Sequence, residues 1–186
     1  MITSLLDEAK IDLSMIQGIV YGCGPGSFTG LRVGIAFAQG LAYAQHWPMI
    51  PVSSLRSLAF AHKQTSTKAD AIFCAMDARM GEVYACAYAV EHDGGLKALM
   101  PETLSDPKTL SWPTVSGNIL ALGNAFSVYE KELSKDFAAM TSPQIIYPSA
   151  KGLLASIEDL SRAKPCKTLN PKVVYLREKV AQIKSQ

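Results

Sequence analysis

The chain has 186 residues, of which 48% are apolar and 18% are charged, and its formal net charge is +2. A chain of this size removes about 70% of its unfolded surface from water on folding, so its length and composition exclude an intrinsically disordered protein. The small net charge, without a dense basic block, gives no electrostatic indication that the protein binds nucleic acid.

Apolar periodicity predicts alternating helices and strands in the N-terminal third of the chain. An apolar run ends at Tyr21 and leads through a glycine-rich turn into an alanine-rich helix, which ends before His46. Ser53 or Ser54 can cap a third helix. The predicted elements are a helix at 2–10, a strand at 16–21, a helix at 30–45, a strand at 49–52 and a helix at 54–63.

The rest of the sequence predicts a second α/β lobe that contains a hairpin. A polar stretch at 64–69 marks the boundary, and residues 77–81 are predicted to form a five-residue turn between two strands. The predicted elements are strands at 71–76, 82–90 and 96–100, a helical turn at 106–110, a strand at 119–122, a helix at 124–133, a strand at 144–147 and a helix at 149–163. The predicted lobes are 1–63 and 64–164, with 165–186 packing back on the first.

The glycine-rich turn at residues 22–30, here called the glycine corner, is the first candidate site. Its glycines reach backbone angles closed to other residues, and the hydroxyls of Ser27 and Thr29 lie where the helix begins. The glycine spacing fits neither a P-loop nor a dinucleotide fingerprint. Two interpretations stay open: a loop that cradles a phosphate, or a tight turn into a closely packed helix. The candidate loop residues are Gly24, Pro25, Gly26, Ser27, Phe28, Thr29, Gly30 and Arg32.

The helix after the glycine corner carries small residues at every fourth position, Gly30, Gly34 and Ala38. Residues four apart share a helix face, so another backbone can approach this face closely. The face is predicted to dock on the core of the protein or on a partner helix. Arg32, on the first turn, can meet a phosphate or a partner carboxylate, or be solvated or paired within the chain.

A second candidate site lies in the predicted hairpin turn, where Asp77, Arg79 and Glu82 are close in sequence. Two carboxylates and a guanidinium in one turn could bind a metal or a polar ligand. The alternative is a turn closed by its own charges, with Asp77 as a cap and Arg79 paired with Glu82 or with a neighbouring segment.

The histidines and cysteines show no metal-binding spacing, and no Ser-His-Asp arrangement is recognised. The cysteines are interpreted as reduced thiols, mostly in the core. The longest apolar stretch, 33–44, is too short to span a bilayer and no signal peptide is recognised, which predicts a cytoplasmic protein. The residues concerned are His46, His62, His92, Cys23, Cys74, Cys86 and Cys166.

Several segments, spread over nearly the whole chain, resemble the TsaB (YeaZ) family of bacteria. They are GPGSFTGLRVG at 24–34, AQGLA at 38–42, DARMGEVY at 77–84 and VVYLR at 173–177. The resemblance implies an α/β fold of the actin-like or Hsp70-like ATPase (ASKHA) type with two lobes. It also implies a non-catalytic subunit of the machinery that makes threonylcarbamoyladenosine at position 37 of tRNA.

The resemblance implies partners as well as a fold. These are a catalytic, TsaD-like paralogue, an ATPase subunit similar to TsaE, and a second copy of the chain when the paralogue is absent. Contact with tRNA is expected only through the complex, no cofactor is expected in isolation, and ATP or ADP is considered only at the interface of the full complex. The hairpin turn is expected near the cleft between the lobes.

The chain departs from the family pattern at its start, because the first strands and half of a helix, about forty residues, are not recognised before Met1. We therefore expect an incomplete N-terminal lobe. An alternative function also stays open, namely an autonomous nucleotide-binding protein or ATPase of the actin-like class that uses residues 24–30.

Overall fold

In the computed structural model, which describes residues 2–60, 68–133, 144, 147–157, 165–166 and 170–177, six strands form two sheets. The strands are β1 Ile19–Gly22, β2 Met49–Val52, β3 Ala71–Arg79, β4 Glu82–Val90, β5 Leu96–Ser105 and β6 Ile119–Leu122. The helices are α1 Ile2–Ala9, α2 Phe28–Gln45, α3 Ser54–Phe60, α4 Ala125–Val128, α5 Glu130–Leu133 and α6 Ala150–Ala155, and a 3-10 turn lies at Leu13–Met15.

The smaller sheet pairs β1 with β2 in parallel, and α2 connects the two strands. Parallel neighbours need such a crossover connection, because a tight hairpin reverses the chain direction and therefore joins antiparallel strands. One face of α2 packs on the sheet, where Ile35, Ala38 and Ala42 join Tyr21 and Cys23 in a buried cluster. The small residues at 38 and 42 therefore let the helix lie close to its own sheet.

The larger sheet has the order β5-β4-β3-β6, with β3 antiparallel to β4 and parallel to β6. Side chains alternate between its two faces. One face packs on α3, whose Leu58 joins Ile72 and Leu120 in a buried cluster. On the other face Phe73 stacks on Trp112, with ring centroids 4.6 Å apart.

Most predicted elements are confirmed, but the hairpin and the following helix differ from prediction. The turn has two residues, Met80 and Gly81, because β3 continues through Arg79 with a bulge between Asp77 and Arg79. The strand predicted at 96–100, which is β5, continues to Ser105.

The helix predicted at 124–133 is instead two single turns, α4 and α5, interrupted at Tyr129, whose backbone is not helical. The predicted boundary at 64–69, the strand at 144–147 and the ends of the helices predicted at 54–63 and 149–163 lie wholly or partly outside the described residues.

The packing of α3 bears on the predicted lobes, since this helix, assigned to residues 1–63, buries its apolar face against the larger sheet. Between the two sheets Ser53 donates a hydrogen bond to the Glu102 carboxylate, and burial raises the pKa of Glu102. The division at residue 63 stays a prediction.

All four cysteines are free thiols, and Cys23, Cys74 and Cys86 are buried. Burial raises the pKa of the Cys23 thiol to about 11. In the part of the chain that the structure describes, no three His, Cys, Asp or Glu residues are grouped to hold a metal ion. None of the described helices is both long and apolar enough to cross a membrane.

Candidate functional site

The glycine corner is fixed by backbone hydrogen bonds to the connection between β2 and α3. The N–H of Cys23 donates to the carbonyl of Val52 (2.8 Å), and the N–H of Ser54 donates to the carbonyl of Gly24 (2.8 Å). Gly24 has φ +102°, a conformation that L side chains rarely adopt, and the Gly24–Pro25 peptide is cis. The positive φ therefore gives the first half of the corner a specific need for glycine at position 24.

The inner side of the glycine corner is covered by residues 170–177, here called the C-terminal segment. The N–H of Val174 donates to the carbonyl of Cys23 (2.7 Å). A Cβ on Gly24 would lie 2.6 Å from the Val174 carbonyl oxygen, closer than real Cβ contacts. The close approach of the Val174 backbone, which belongs to the same chain, thus explains why residue 24 is a glycine.

The outer side of the corner is open, where Ser27, Phe28, Thr29 and Gly30 are exposed at the start of α2. Ser27 caps the helix, because its Oγ accepts a hydrogen bond from the N–H of Gly30 (3.3 Å). The start of an α-helix leaves further N–H groups without intrahelical partners. This side of the corner keeps the donors that an anion would need, as the phosphate interpretation requires.

A cavity of about 770 Å³ separates the glycine corner from the β3–β4 turn. Gly26, Ser27 and Phe28 line one wall, and Asp77 and Arg79 line the opposite wall. The C-terminal segment contributes residues 174–177. Both predicted sites, the glycine corner and the hairpin turn, therefore face one cavity.

The hairpin turn is closed by its own groups. Asp77 Oδ1 accepts hydrogen bonds from the N–H of Arg79 (2.8 Å) and the hydroxyl of Tyr129 (3.0 Å). Asp77 Oδ2 lies 3.2 Å from the Arg79 guanidinium, which is 87% exposed, whereas the Asp77 side chain is 6% exposed. Burial and the neighbouring Asp77 carboxylate both raise the pKa of Tyr129. The carboxylate has three partners within the protein, which favours the self-closed interpretation over a ligand site.

Glu82 pairs with Arg177 and not with Arg79, and sequence reasoning did not identify this pair. The Arg177 guanidinium lies 2.7 Å from Glu82 Oε2 and donates to the carbonyls of Ala78 (3.0 Å) and Arg79 (3.1 Å). No local pattern links an arginine near the C-terminus to this turn. The available signal was that the VVYLR and DARMGEVY segments both belong to the family resemblance.

Arg32 is held by aromatic neighbours within the chain. Its guanidinium lies over the Phe28 ring, 3.6 Å from the centroid, and its Nε donates to the Tyr175 hydroxyl (3.3 Å). The Phe28 and Tyr175 rings also contact, with centroids 5.9 Å apart. Cation–π contact of this kind stabilises a guanidinium without an acidic partner.

The small-residue face of α2 is divided between two environments. Gly30 and Gly34 line the cavity, whereas Ala38 is buried in the core of the smaller sheet. On the side of α2 away from its sheet, Val33, Phe37 and Tyr43 are 65%, 54% and 63% exposed. We call these three residues the outer face of α2, and large apolar side chains grouped in this way mark interaction surfaces.

Comparison with known proteins gives the class and then the family. The family model described as TsaD, tRNA N6-adenosine threonylcarbamoyltransferase, matches residues 1–185. The crystal structure of a Pseudomonas aeruginosa protein with similarity to peptidase YeaZ superposes with a TM-score of 0.83 at 31% identity, covering 95% of this chain and 81% of that one. The fold is thus of the actin-like ATPase type.

Two curated relatives carry the name tRNA threonylcarbamoyladenosine biosynthesis protein TsaB. The Escherichia coli protein is 30% identical over 97% of this chain and 79% of its own length. The Haemophilus influenzae protein is 31% identical over 97% of this chain and 78% of its own length. The chain belongs to the TsaB (YeaZ) family.

Proposed function

We propose that the protein is a non-catalytic subunit required for threonylcarbamoyl transfer to adenosine 37 of tRNA, acting by dimerising with a catalytic, TsaD-like paralogue. The names of the TsaB relatives support the pathway. The observation that carries the subunit role is the outer face of α2, whose apolar side chains stay more than half exposed among the described residues. Burying such side chains against a partner stabilises a complex.

The arrangement of the cavity supports a role without catalysis. A carboxylate that acts as a general base or as a metal ligand must be able to reach the substrate or the ion. Asp77 is occupied by Tyr129 and Arg79, and Glu82 is paired with Arg177. The polar side chains on the cavity wall formed by the β3–β4 turn therefore hold that turn together.

The proposal extends to the other members of the complex. An ATPase subunit similar to TsaE joins the pair, tRNA is met only through the complex in the cytoplasm, and a homodimer forms when the paralogue is absent. ATP or ADP is proposed only at the interface of the assembled complex, because the glycine corner presents its donors outward at the start of α2.

Reconstitution with the catalytic paralogue tests the proposal. Modified tRNA is expected only when this protein and the paralogue are both present. Nucleoside analysis by mass spectrometry measures the product. Modification by the paralogue alone, or by this protein alone, would contradict an accessory role.

The cavity beside the glycine corner favours one alternative, an actin-like nucleotide-binding protein or ATPase that uses residues 24–30. Against it, we expect ATP hydrolysis by the purified chain to equal the buffer control, with or without magnesium, because the nearby carboxylates are already paired. Phosphate release measures this. A Cβ on Gly26 would lie 3.8 Å from Leu31, so Gly26→Val tests the loop without a backbone clash. Magnesium-dependent turnover that disappears in Gly26→Val would establish the alternative.

A further inference from the structure

The C-terminal segment is attached at two separate places. At one end, the Tyr21 hydroxyl donates to the carbonyl of Lys172 (3.0 Å) and Val174 bonds to the carbonyl of Cys23 (2.7 Å). At the other end, Arg177 binds Glu82 and two carbonyls of the hairpin. The first place belongs to the smaller sheet and the second to the larger sheet, so the segment bridges the two.

Directed polar bonds and partial apolar packing hold this segment, since Val173 and Val174 pack against the cluster of the smaller sheet and Leu176 packs against a cluster of the larger sheet. None of residues 170–177 is buried, and Tyr175 is 47% exposed. Segments with few buried apolar groups open at a lower free energy than the core. By contrast, Cys74 and Cys86 are 0% exposed on adjacent central strands, so their exposure requires the larger sheet to open.

Beneath the segment lies a residue that reports its position. Cys23 is 3% exposed, and its own carbonyl accepts the bond from Val174. Val173 and Val174 pack against the buried cluster that contains Cys23, so lifting the segment removes part of the cover of this cluster and of the inner side of the glycine corner.

We propose that the C-terminal segment is a detachable strap that closes the inner wall of the cavity, with Arg177 as its fastening on the hairpin. The strap leaves the glycine corner as one unit while both sheets stay folded. It thereby sets how much of the inner wall of the cavity is closed. This role is independent of the proposed tRNA modification function.

Thiol labelling with N-ethylmaleimide tests the strap in the unaltered chain. Peptide mass spectrometry reads each cysteine separately, and hydrogen exchange follows the Val174 amide. We expect Cys23 to react about tenfold faster than Cys74 and Cys86, because a local opening suffices for Cys23 alone. If Cys23 reacted as slowly as Cys74, the strap would open only with the whole protein and the proposal would be overturned.

A matched pair of substitutions identifies the fastening. Arg177→Met keeps the apolar stem but removes charge-assisted bonds, so we expect labelling of Cys23 and exchange at Val174 to accelerate about tenfold. Arg79→Met makes the same change in the same hairpin, but its guanidinium pairs outward with Asp77, and we expect both rates to match the parent. Equal acceleration in both variants, or none in Arg177→Met, would refute the assignment.

Should Arg177→Met fail to fold, Glu82→Gln provides a milder version of the experiment. This variant removes the ion pair and leaves the bonds from Arg177 to the two carbonyls. A smaller acceleration, shared by Cys23 and Val174, is expected. A parent-like rate at both positions would count against Arg177 as the fastening.

Discussion

Gly24→Ala is expected to lower the free energy of unfolding by about 3 kcal/mol, through two effects at one position. The backbone has φ +102°, where a side chain is strained, and the new methyl group would lie 2.6 Å from the Val174 carbonyl oxygen. For a chain of this size the melting temperature should fall by about 10 °C. Calorimetry or denaturant unfolding measures the change.

Substitutions at two other glycines distinguish the effect of backbone strain from the effect of a close contact. Gly81 has φ +78° with no described atom within 4 Å of an added Cβ, so Gly81→Ala should cost about 1 kcal/mol from strain alone. Gly26→Ala adds a methyl group at ordinary contact distance, 3.8 Å from Leu31, and should change stability by less than about 0.5 kcal/mol. A Gly24→Ala loss no larger than that of Gly81→Ala would show that Val174 does not press on the corner.

Phe37→Asp is expected to weaken association with the catalytic paralogue by about 30-fold, or about 2 kcal/mol, and to reduce tRNA modification accordingly. Phe37 is 54% exposed on the outer face of α2, so the change introduces a charge into the proposed interface without disturbing the core. The melting temperature of the isolated protein should stay near that of the parent. Titration calorimetry with the paralogue measures the affinity.

Val128→Asp is a matched control, because Val128 is 53% exposed and lies on α4, away from the outer face. It should bind the paralogue like the parent. Gly34→Leu distinguishes a second surface, since a Cβ added there has no described atom within 4 Å and Gly34 lines the cavity. Weaker binding by Gly34→Leu alone would move the interface from the outer face to the cavity side of α2.

Local signals in the sequence predicted the elements and their starts well. Ser27, whose hydroxyl was placed where the helix begins, caps α2, and Ser149 caps α6 at the start of the helix predicted there, since each accepts a hydrogen bond from an N–H three residues on. Ser53 accepts from Leu55 and Arg56 in the same way. Capping and apolar periodicity act within a few residues, so they can be recognised without knowing the fold.

The contacts of the candidate site depend on segments that are distant in sequence. Arg177, Tyr175 and Tyr129 complete the hairpin and the aromatic contact with Arg32, but nothing near these residues indicates their partners. The small-residue face of α2 shows the same limit of prediction from sequence. Its spacing predicted a close approach, yet only the fold decides that Ala38 meets the core and Gly34 the cavity.

The position of α3 has a mechanical consequence for the cavity. Its first residue, Ser54, holds the carbonyl of Gly24 through the backbone N–H, while Leu58, one turn further, is anchored among Ile72 and Leu120. A helix of 7 residues makes about two turns, and its backbone hydrogen bonds link the first turn to the second. A rotation of the larger sheet would therefore carry the glycine corner with it, and the two walls of the cavity would keep their spacing although they belong to different sheets.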